Sequence, residues 1–285
     1  MEPKISVIIP THNSEKTIEN CVQSLVAQNF PRNEYEIIVV DDGSKDNTVK
    51  LAKLSGADNV IVTKPCFQGA ARNIGVKNSR GNFLGFLDSD CTARKGWLES
   101  ISNELETNKA IGGPVLNGNS DSLIAWAEYL IEFSGFHEYK KRTKIPFVPG
   151  CNMSCTKDVF FKVGGFSEQR LSEDVAFGNS LTKVGIDIEF VPDLQVNHLC
   201  RTELKKYISN MKLGGKYTAR VSKVVPSIYT NLTRSKLFLP LIFLVKIGAR
   251  MRWARQAKKL RKFIICFPII LVGVGAFCKG VSDEI

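Results

Sequence analysis

The sequence predicts an α/β protein: a mostly parallel sheet with helices on both faces, then a basic, apolar helical tail. Three observations carry this. The first 115 residues alternate short apolar runs with segments of helical period. Polar residues of the front half cluster where those runs end. Charge is segregated along the chain, with 21 basic against 25 acidic residues in 1–200 and 17 against one in 201–262.

Each element has its reason. Ile5–Ile9 is a β-rich run closing at Pro10-Thr11. Ile18, Cys21, Val22, Leu25 and Val26 recur on one face of a helix, with Ser14 as its N-cap. Glu36–Val40 is a second strand, closed by Asp41-Asp42-Gly43-Ser44, and Asp46 or Ser44 caps the helix to Leu54. Asn59–Thr63 is a third strand before a helix over Ala70–Lys77. Asn82–Leu87 is a fourth, closed by Asp88-Ser89-Asp90. Trp97, Leu98, Ile101 and Leu105 mark a helix, and Ala110-Ile111-Gly112 a strand. The middle reads as a helix over Leu123–Tyr139, a strand at Cys151–Ser154, a helical turn at Val159–Val163, a helix at Glu173–Val184 and a strand at Ile186–Val191. Continuous apolar strands alternating with helices mean a sheet covered on both faces. Ligands of such sheets bind beyond the carboxyl ends of the strands.

Composition narrows the chemistry. The 285 residues are 44% hydrophobic and 24% charged, so a folded domain is expected rather than disorder. Three histidines exclude a His-rich metal cage, and no HExxH or GxxxxGK[ST] occurs. The eight cysteines form no CxxC pair, which argues against a zinc ribbon and for buried, reduced thiols in a cytosolic setting. The N-terminus enters a strand almost at once and lacks a basic lead, so no cleavable signal is expected.

The polar clusters suggest particular roles. Asp88 and Asp90, two apart at a strand end, would put both carboxylates on one side, suited to Mg²⁺ or Mn²⁺. Such a pair also reads as a turn of solvated acids; the apolar run Phe83–Leu87 before it favours the metal site. Gly43-Ser44 turns the chain, and Asp42 can face a base or ribose. The small residues of Gln68–Gly75 open a helix in which Arg72 offers a fork for an anion; tight helix–sheet packing explains them equally. Glu173-Asp174 follows Ser172, a good N-cap, so the acids fit the helix dipole; alternatively Asp174 is a general base. His198, before Arg201, reads first as a hydrogen-bonded structural residue.

Taken together, SVIIPTHN (6–13), IIVVDDGSKDNT (37–48), GAARNIGVKNSRGNFLGFLDSD (69–90), PGCNMSCTKDVFFKVGGF (149–166) and SEDVAFGNSL (172–181) resemble family-2 glycosyltransferases of the GT-A type, in order and spacing, over residues 4 to about 205. The resemblance implies a GT-A, Rossmann-like catalytic domain over 1–203 and an inverting transfer from a nucleotide-diphospho-sugar with a divalent metal, Mn²⁺ or Mg²⁺. It implies that Pro10, Thr11, Asn13 and Asp42 hold the nucleotide, with Arg72 in the nucleotide-side helix. It assigns Asp88 and Asp90 to the metal motif, Asp174 to the base and Asn152 to the acceptor-side loop, and puts His198 at metal or diphosphate. The QxxRW motif of processive synthases is missing, so one sugar per encounter is expected.

The tail, 204–285, is read as membrane-associated. Residues 204–223 form a basic amphipathic helix, interrupted at Gly214-Gly215. Leu237–Ala249 is apolar apart from Lys246, Gly248–Lys262 carries seven basic residues, and Phe263–Cys278 is uncharged. A spanning helix needs about 20 residues, so an interfacial first segment and a short spanning or re-entrant second one are expected at the cytoplasmic face of the cell membrane. The expected partners are a nucleotide-sugar donor, a lipid-linked or glycan acceptor and an anionic membrane surface, with no nucleic acid. Three other readings stand beside this one: a hydrophobic hairpin folded on the soluble domain, a basic nucleic-acid-binding module, and a nucleotidyltransferase.

Overall fold

The computed structural model describes residues 2–168, 172–225 and 229–285. It divides into two compact units, one of 1–114 with 141–197 and one of 115–140 with 198–285.

The first unit is the α/β part. Its strands are β1 (Ile5–Thr11), β2 (Tyr35–Asp41), β3 (Asn59–Val62), β4 (Phe83–Phe86), β5 (Cys91–Ala93) and β6 (Ala110–Gly112). β7 (Val115–Asn117) belongs to the second unit, and β8 (Thr143–Ile145), β9 (Met153–Thr156) and β10 (Ile188–Phe190) return to the first. β11 (Val196–His198) closes the series, its last residue opening the second unit. The first unit's helices are α1 (Ile18–Val26), α2 (Thr48–Leu54), α3 (Phe67–Lys77) and α4 (Trp97–Glu104). After α5 (Leu123–Glu132) of the second unit come α6 (Lys157–Lys162) and α7 (Glu173–Lys183).

Among the described residues the large sheet runs β3-β2-β1-β4-β9-β6-β10-β8. β1 pairs in parallel with β2 and β4, and β2 with β3; β9 runs antiparallel to β4 and β6. Every residue of β1 and β2 is buried, as strands covered on both faces require. The register Pro10↔Val40 and Thr11↔Asp41 brings the two strand ends level, so the loops after them lie side by side.

Several local expectations are corrected. Ser14 does not cap α1 with its side chain; its carbonyl accepts from Thr17 and Ile18, and its hydroxyl sits 2.9 Å from that of Ser89. Asp46, by contrast, accepts from the Thr48 amide at the start of α2. The helix from Leu123 stops at Glu132 rather than Tyr139, and Phe133 closes it. The small residues of α3 serve packing. A Cβ on Gly69 would lie 2.2 Å from the Ser167 carbonyl oxygen, and one on Gly75 2.5 Å from the Ile8 side chain.

The second unit is helical, adding α8 (Leu204–Val221), α9 (Tyr229–Leu232), α10 (Leu239–Gln256) and α11 (Leu260–Ser282) to α5. α8 runs unbroken through Gly214-Gly215. A Cβ on Gly215 would sit 1.9 Å from the Phe277 carbonyl oxygen, and one on Gly280 1.8 Å from that of Lys212, so these glycines let α8 and α11 touch. The core joins Tyr129 and Leu130 of α5, Tyr207 and Met211 of α8, Ile242 of α10 and Phe263, Ile270, Val274 and Phe277 of α11. Buried Glu128 accepts from the Arg201 amide and guanidinium and from Asn210, anchoring the start of α8. α11 is long and apolar enough to cross a membrane by length and composition, with mean hydropathy 2.2, yet 44% of its apolar window is buried inside the protein.

Candidate active site

The carboxyl ends of β1, β2 and β4 border one cavity of about 250 Å³. It is lined by Pro10, Thr11, His12 and Ser14 after β1, Asp42 after β2, Gln68 and Ala71 of α3, and Asp88, Ser89 and Asp90 after β4. Four of the residues expected to bind nucleotide or metal therefore share one hollow with Pro10: Thr11, Asp42, Asp88 and Asp90.

The walls of the cavity are stapled. Asn13, held at φ 50°, donates its amide to Ser44 Oγ at 2.7 Å and accepts from the Lys45 amide at 2.9 Å. Its side chain ties two loops together and does not line the cavity. The Asp42 carboxylate accepts from the amides of Cys66 and Phe67, so it fixes the start of α3 while facing the cavity. A negative charge at a helix N-terminus is favourable there. Among the described residues, Thr11 Oγ1 is buried at the cavity with no hydrogen-bond partner.

The acid pair is not extended. The Cys91 amide donates to the Asp88 carbonyl at 2.9 Å, so Asp88–Cys91 is a tight turn rather than a continuation of β4. Asp88, Ser89 and Asp90 nevertheless all line the cavity. Cys21 and Cys91 are buried, and burial pushes their thiols up, so they stay protonated.

Arg72 does something the sequence did not predict. It is 1% exposed and does not line the cavity. Nη2 donates to Asp88 Oδ1 at 2.7 Å and Nη1 to Glu173 Oε1 at 2.9 Å, with its guanidinium over the Phe166 ring at 5.2 Å. Burial works against its charge, but Asp88 and Glu173 outweigh that and hold it protonated. A Cβ on Gly150 would come within 2.9 Å of Arg72 Nη2, so that glycine makes room for the fork. Glu173 is thus the second partner of Arg72, and the only sequence sign of it was its place beside Asp174.

Asp174 is the second residue of α7, after Glu173, and its Oδ1 accepts from the Val175 amide at 2.8 Å. Burial, then the charge of Glu173, push its carboxyl up to about 7, against the pull of the Val175 amide, Arg72 and the Gly150 amide.

Asn152 is fully buried and committed to structure. It accepts from Trp97 Nε1 at 2.9 Å and donates to the carbonyls of Pro114 and Leu194 at 3.0 and 2.7 Å. It pins three segments of the first unit instead of presenting its amide to a ligand. His198 ends β11 in the second unit, where its Nδ1 lies 3.6 Å from Cys200 Sγ and its ring 4.6 Å from that of Phe133.

Comparison with known proteins bears on this arrangement. The family model described as glycosyl transferase family 2 matches residues 6–164. Glycosyltransferase AglE of Haloferax volcanii is 31% identical over 209 residues, covering 70% of this chain and 68% of that protein. A poly(ribitol-phosphate) β-N-acetylglucosaminyltransferase, TarS of Staphylococcus aureus, is 41% identical over 104 residues, 35% of this chain and 18% of TarS. Among solved structures, mannosyltransferase PcManGT from Pyrobaculum calidifontis, in complex with GDP-Man and Mn²⁺, superposes with a TM-score of 0.66 at 16% identity, over 100% of this chain and 89% of that one. TarS 1–349 in complex with UDP-GlcNAc gives 0.59 at 18% identity, over 98% and 91%. The structural likenesses establish a GT-A fold; the family match over more than half of the sequence goes further, and the chain belongs to glycosyl transferase family 2 and is a glycosyltransferase.

Proposed function

We propose that this chain moves one sugar, with inversion, from a nucleoside-diphospho-sugar to a hydroxyl of a lipid-linked or surface-glycan acceptor at the cytoplasmic face of the cell membrane. UDP is the first choice of carrier and GDP the second. The observation that carries this reading is the run Asp88–Arg72–Glu173, which ties the acid pair at the cavity to the turn presenting Asp174. The structural neighbours that hold GDP-Man with Mn²⁺ and UDP-GlcNAc support a nucleotide-sugar donor.

Each residue has a task. Pro10, unpartnered Thr11 Oγ1 and Asp42 form the nucleotide side of the cavity. Asp88 commits Oδ1 to Arg72, so its other oxygen and the Asp90 carboxylate are the hard donors suited to Mn²⁺ or Mg²⁺. When bound there, the metal supplies positive charge for the departing diphosphate. Arg72 holds Asp88 and Glu173 in place and keeps the cavity side from shifting against α7. Asp174, whose carboxyl titrates close to neutrality, takes the proton of the acceptor hydroxyl as it attacks the face of the anomeric carbon opposite the leaving group. With the leaving group already an anion, one catalytic carboxylate suffices where an inverting glycosidase uses two.

The test is product analysis with UDP-, GDP- and dTDP-sugars, Mn²⁺ and a lipid extract as acceptor source. Release of a nucleoside diphosphate together with a glycosylated acceptor whose new linkage has the opposite anomeric configuration to the donor supports the proposal. Release of pyrophosphate would mean a nucleotidyltransferase and sink it.

A further inference from the structure

The second unit carries an apolar surface that its own core leaves uncovered. α11 has two apolar faces. Phe263, Cys266, Ile270, Val274, Phe277 and Val281 face the core. Ile264, Ile265, Phe267, Leu271 and Val272 are between 36% and 65% exposed. Their spacing of i, i+1, i+3, i+7 and i+8 puts them on one side of the helix. A helix on the surface of a water-soluble unit carries polar residues there. α10 likewise leaves Leu241 and Leu244 exposed, at 46% and 65%.

Charge identifies what this surface meets. Between Glu203 and Asp283 the chain has 17 lysines and arginines and no acid. Arg252 and Arg255 near the end of α10, Lys258 in the connection and Arg261 at the start of α11 are all exposed. Cationic side chains beside an apolar stripe match a lipid boundary, where the stripe enters the acyl region and the cations meet lipid phosphates.

We propose that the exposed face of α11 lies in the plane of an anionic lipid bilayer and that α11 does not cross it. This deepens the membrane-associated reading above and rests on it. Crossing would strip the opposite face from its partners. That face is committed by close backbone contacts, Gly280 against the Lys212 carbonyl and the Phe277 carbonyl against Gly215, and by Tyr207 Oη donating to the Ile269 carbonyl at 3.0 Å. α11 has the length and hydropathy of a span, but 44% of its apolar window is already buried against the unit's own core.

The experiment is flotation of the full chain with vesicles of phosphatidylcholine alone or mixed with phosphatidylglycerol, at low and high salt. It is followed by alkaline carbonate extraction of the bound fraction. Two double variants are compared with the parent: Ile264→Glu with Val272→Glu, and Arg252→Glu with Arg255→Glu. Thermal melting and donor binding serve as controls of fold and site. In-plane docking predicts binding to the phosphatidylglycerol vesicles, release by carbonate, and a fall of about tenfold or more in each double variant with melting and donor binding unchanged. Carbonate-resistant protein, or an unaffected Ile264→Glu/Val272→Glu variant, overturns in-plane docking while leaving membrane association standing. A parent chain that ignores both vesicle types overturns membrane association as well. If that chain is a dimer split by the α11 variant, the face binds a second copy instead. Donor binding is read separately, so failure of the transferase reading is not confused with either result.

Discussion

At the residue scale the proposed function turns on two side chains, Asp174 and Arg72. Asp174 must be ionised to act as a base, and its carboxyl sits up near 7 rather than in the ordinary range of about 4. Transfer rate is therefore expected to rise with pH through about 7, and Asp174→Asn to abolish transfer while donor binding persists. A pH–rate profile and donor titration of the variant check both. The same shift has a stability consequence. A carboxyl whose pKa is raised on folding favours the folded state at low pH and loses that contribution as pH climbs from about 4 through 7. Asp174→Asn should accordingly melt above the parent at pH 8, with the gap closing toward pH 4. Arg72 is the opposite case, a buried cation held by two acids. Arg72→Met would leave Asp88 and Glu173 unpaired at a cost of roughly 3 kcal/mol, measurable by chemical denaturation. Arg72→Lys cannot span both acids with one ammonium, so it should fold and yet lose most activity. The gathering of Asp42, Asp88 and Asp90 at one cavity was legible in the sequence because strand ends mark where polar groups gather. The tie made by Arg72 was not, because its partners stand 16 and 101 residues away. Nor was the structural duty of Asn152, whose three bonds reach distant segments.

At the element scale, β1, β2 and β4 and the helices between them followed from apolar runs and helical period, with boundaries off by up to three residues, the most at the start of α3. The short strands β5, β7, β8 and β11 had no such signal, being three residues each and defined by their pairing. Glycine pairs were ambiguous for a physical reason. Gly214-Gly215 reads as a helix break when α8 is considered alone, yet only a partner backbone reveals close approach. The structure makes these readings separable by mutation. Gly215→Ala and Gly280→Ala each drive a Cβ into a main-chain carbonyl and should destabilise by about 2 kcal/mol or more. Gly248→Ala, on α10 with nothing within 4 Å of the added Cβ, should instead stabilise by up to about 1 kcal/mol through helix propensity. Thermal melting of the three variants tests the contrast; equal effects at all three would mean that α8 and α11 do not touch along this seam.

At the scale of the whole molecule, the charge pattern bears on how a donor would enter under the proposed function. Residues 1–200 are net acidic, and the basic excess lies beyond them. Three carboxylates, Asp42, Asp88 and Asp90, line the cavity, while the cation behind them, Arg72, is already shared between Asp88 and Glu173. On the proposed function, a diphosphate arriving at this cavity meets like charge, and like charges at close range disfavour binding. A divalent cation on the aspartates reverses that sign. Donor affinity should therefore depend on metal far more than the fold does. Ligand present at about one hundred times its dissociation constant stabilises the folded state by about 2.7 kcal/mol, which for a chain of this size is a rise of several degrees in the melting midpoint. The expected outcome is such a rise with UDP- or GDP-sugar plus Mn²⁺, a small one with Mn²⁺ alone, and none with the sugar nucleotide in chelator. Asp90→Asn should remove the joint shift and leave the ligand-free midpoint where it was, because Asp90 lies at the cavity rim rather than in the core. An equal donor shift in chelator would show that the cavity neutralises the diphosphate with its own side chains, and the metal assignment for Asp88 and Asp90 would fall with it.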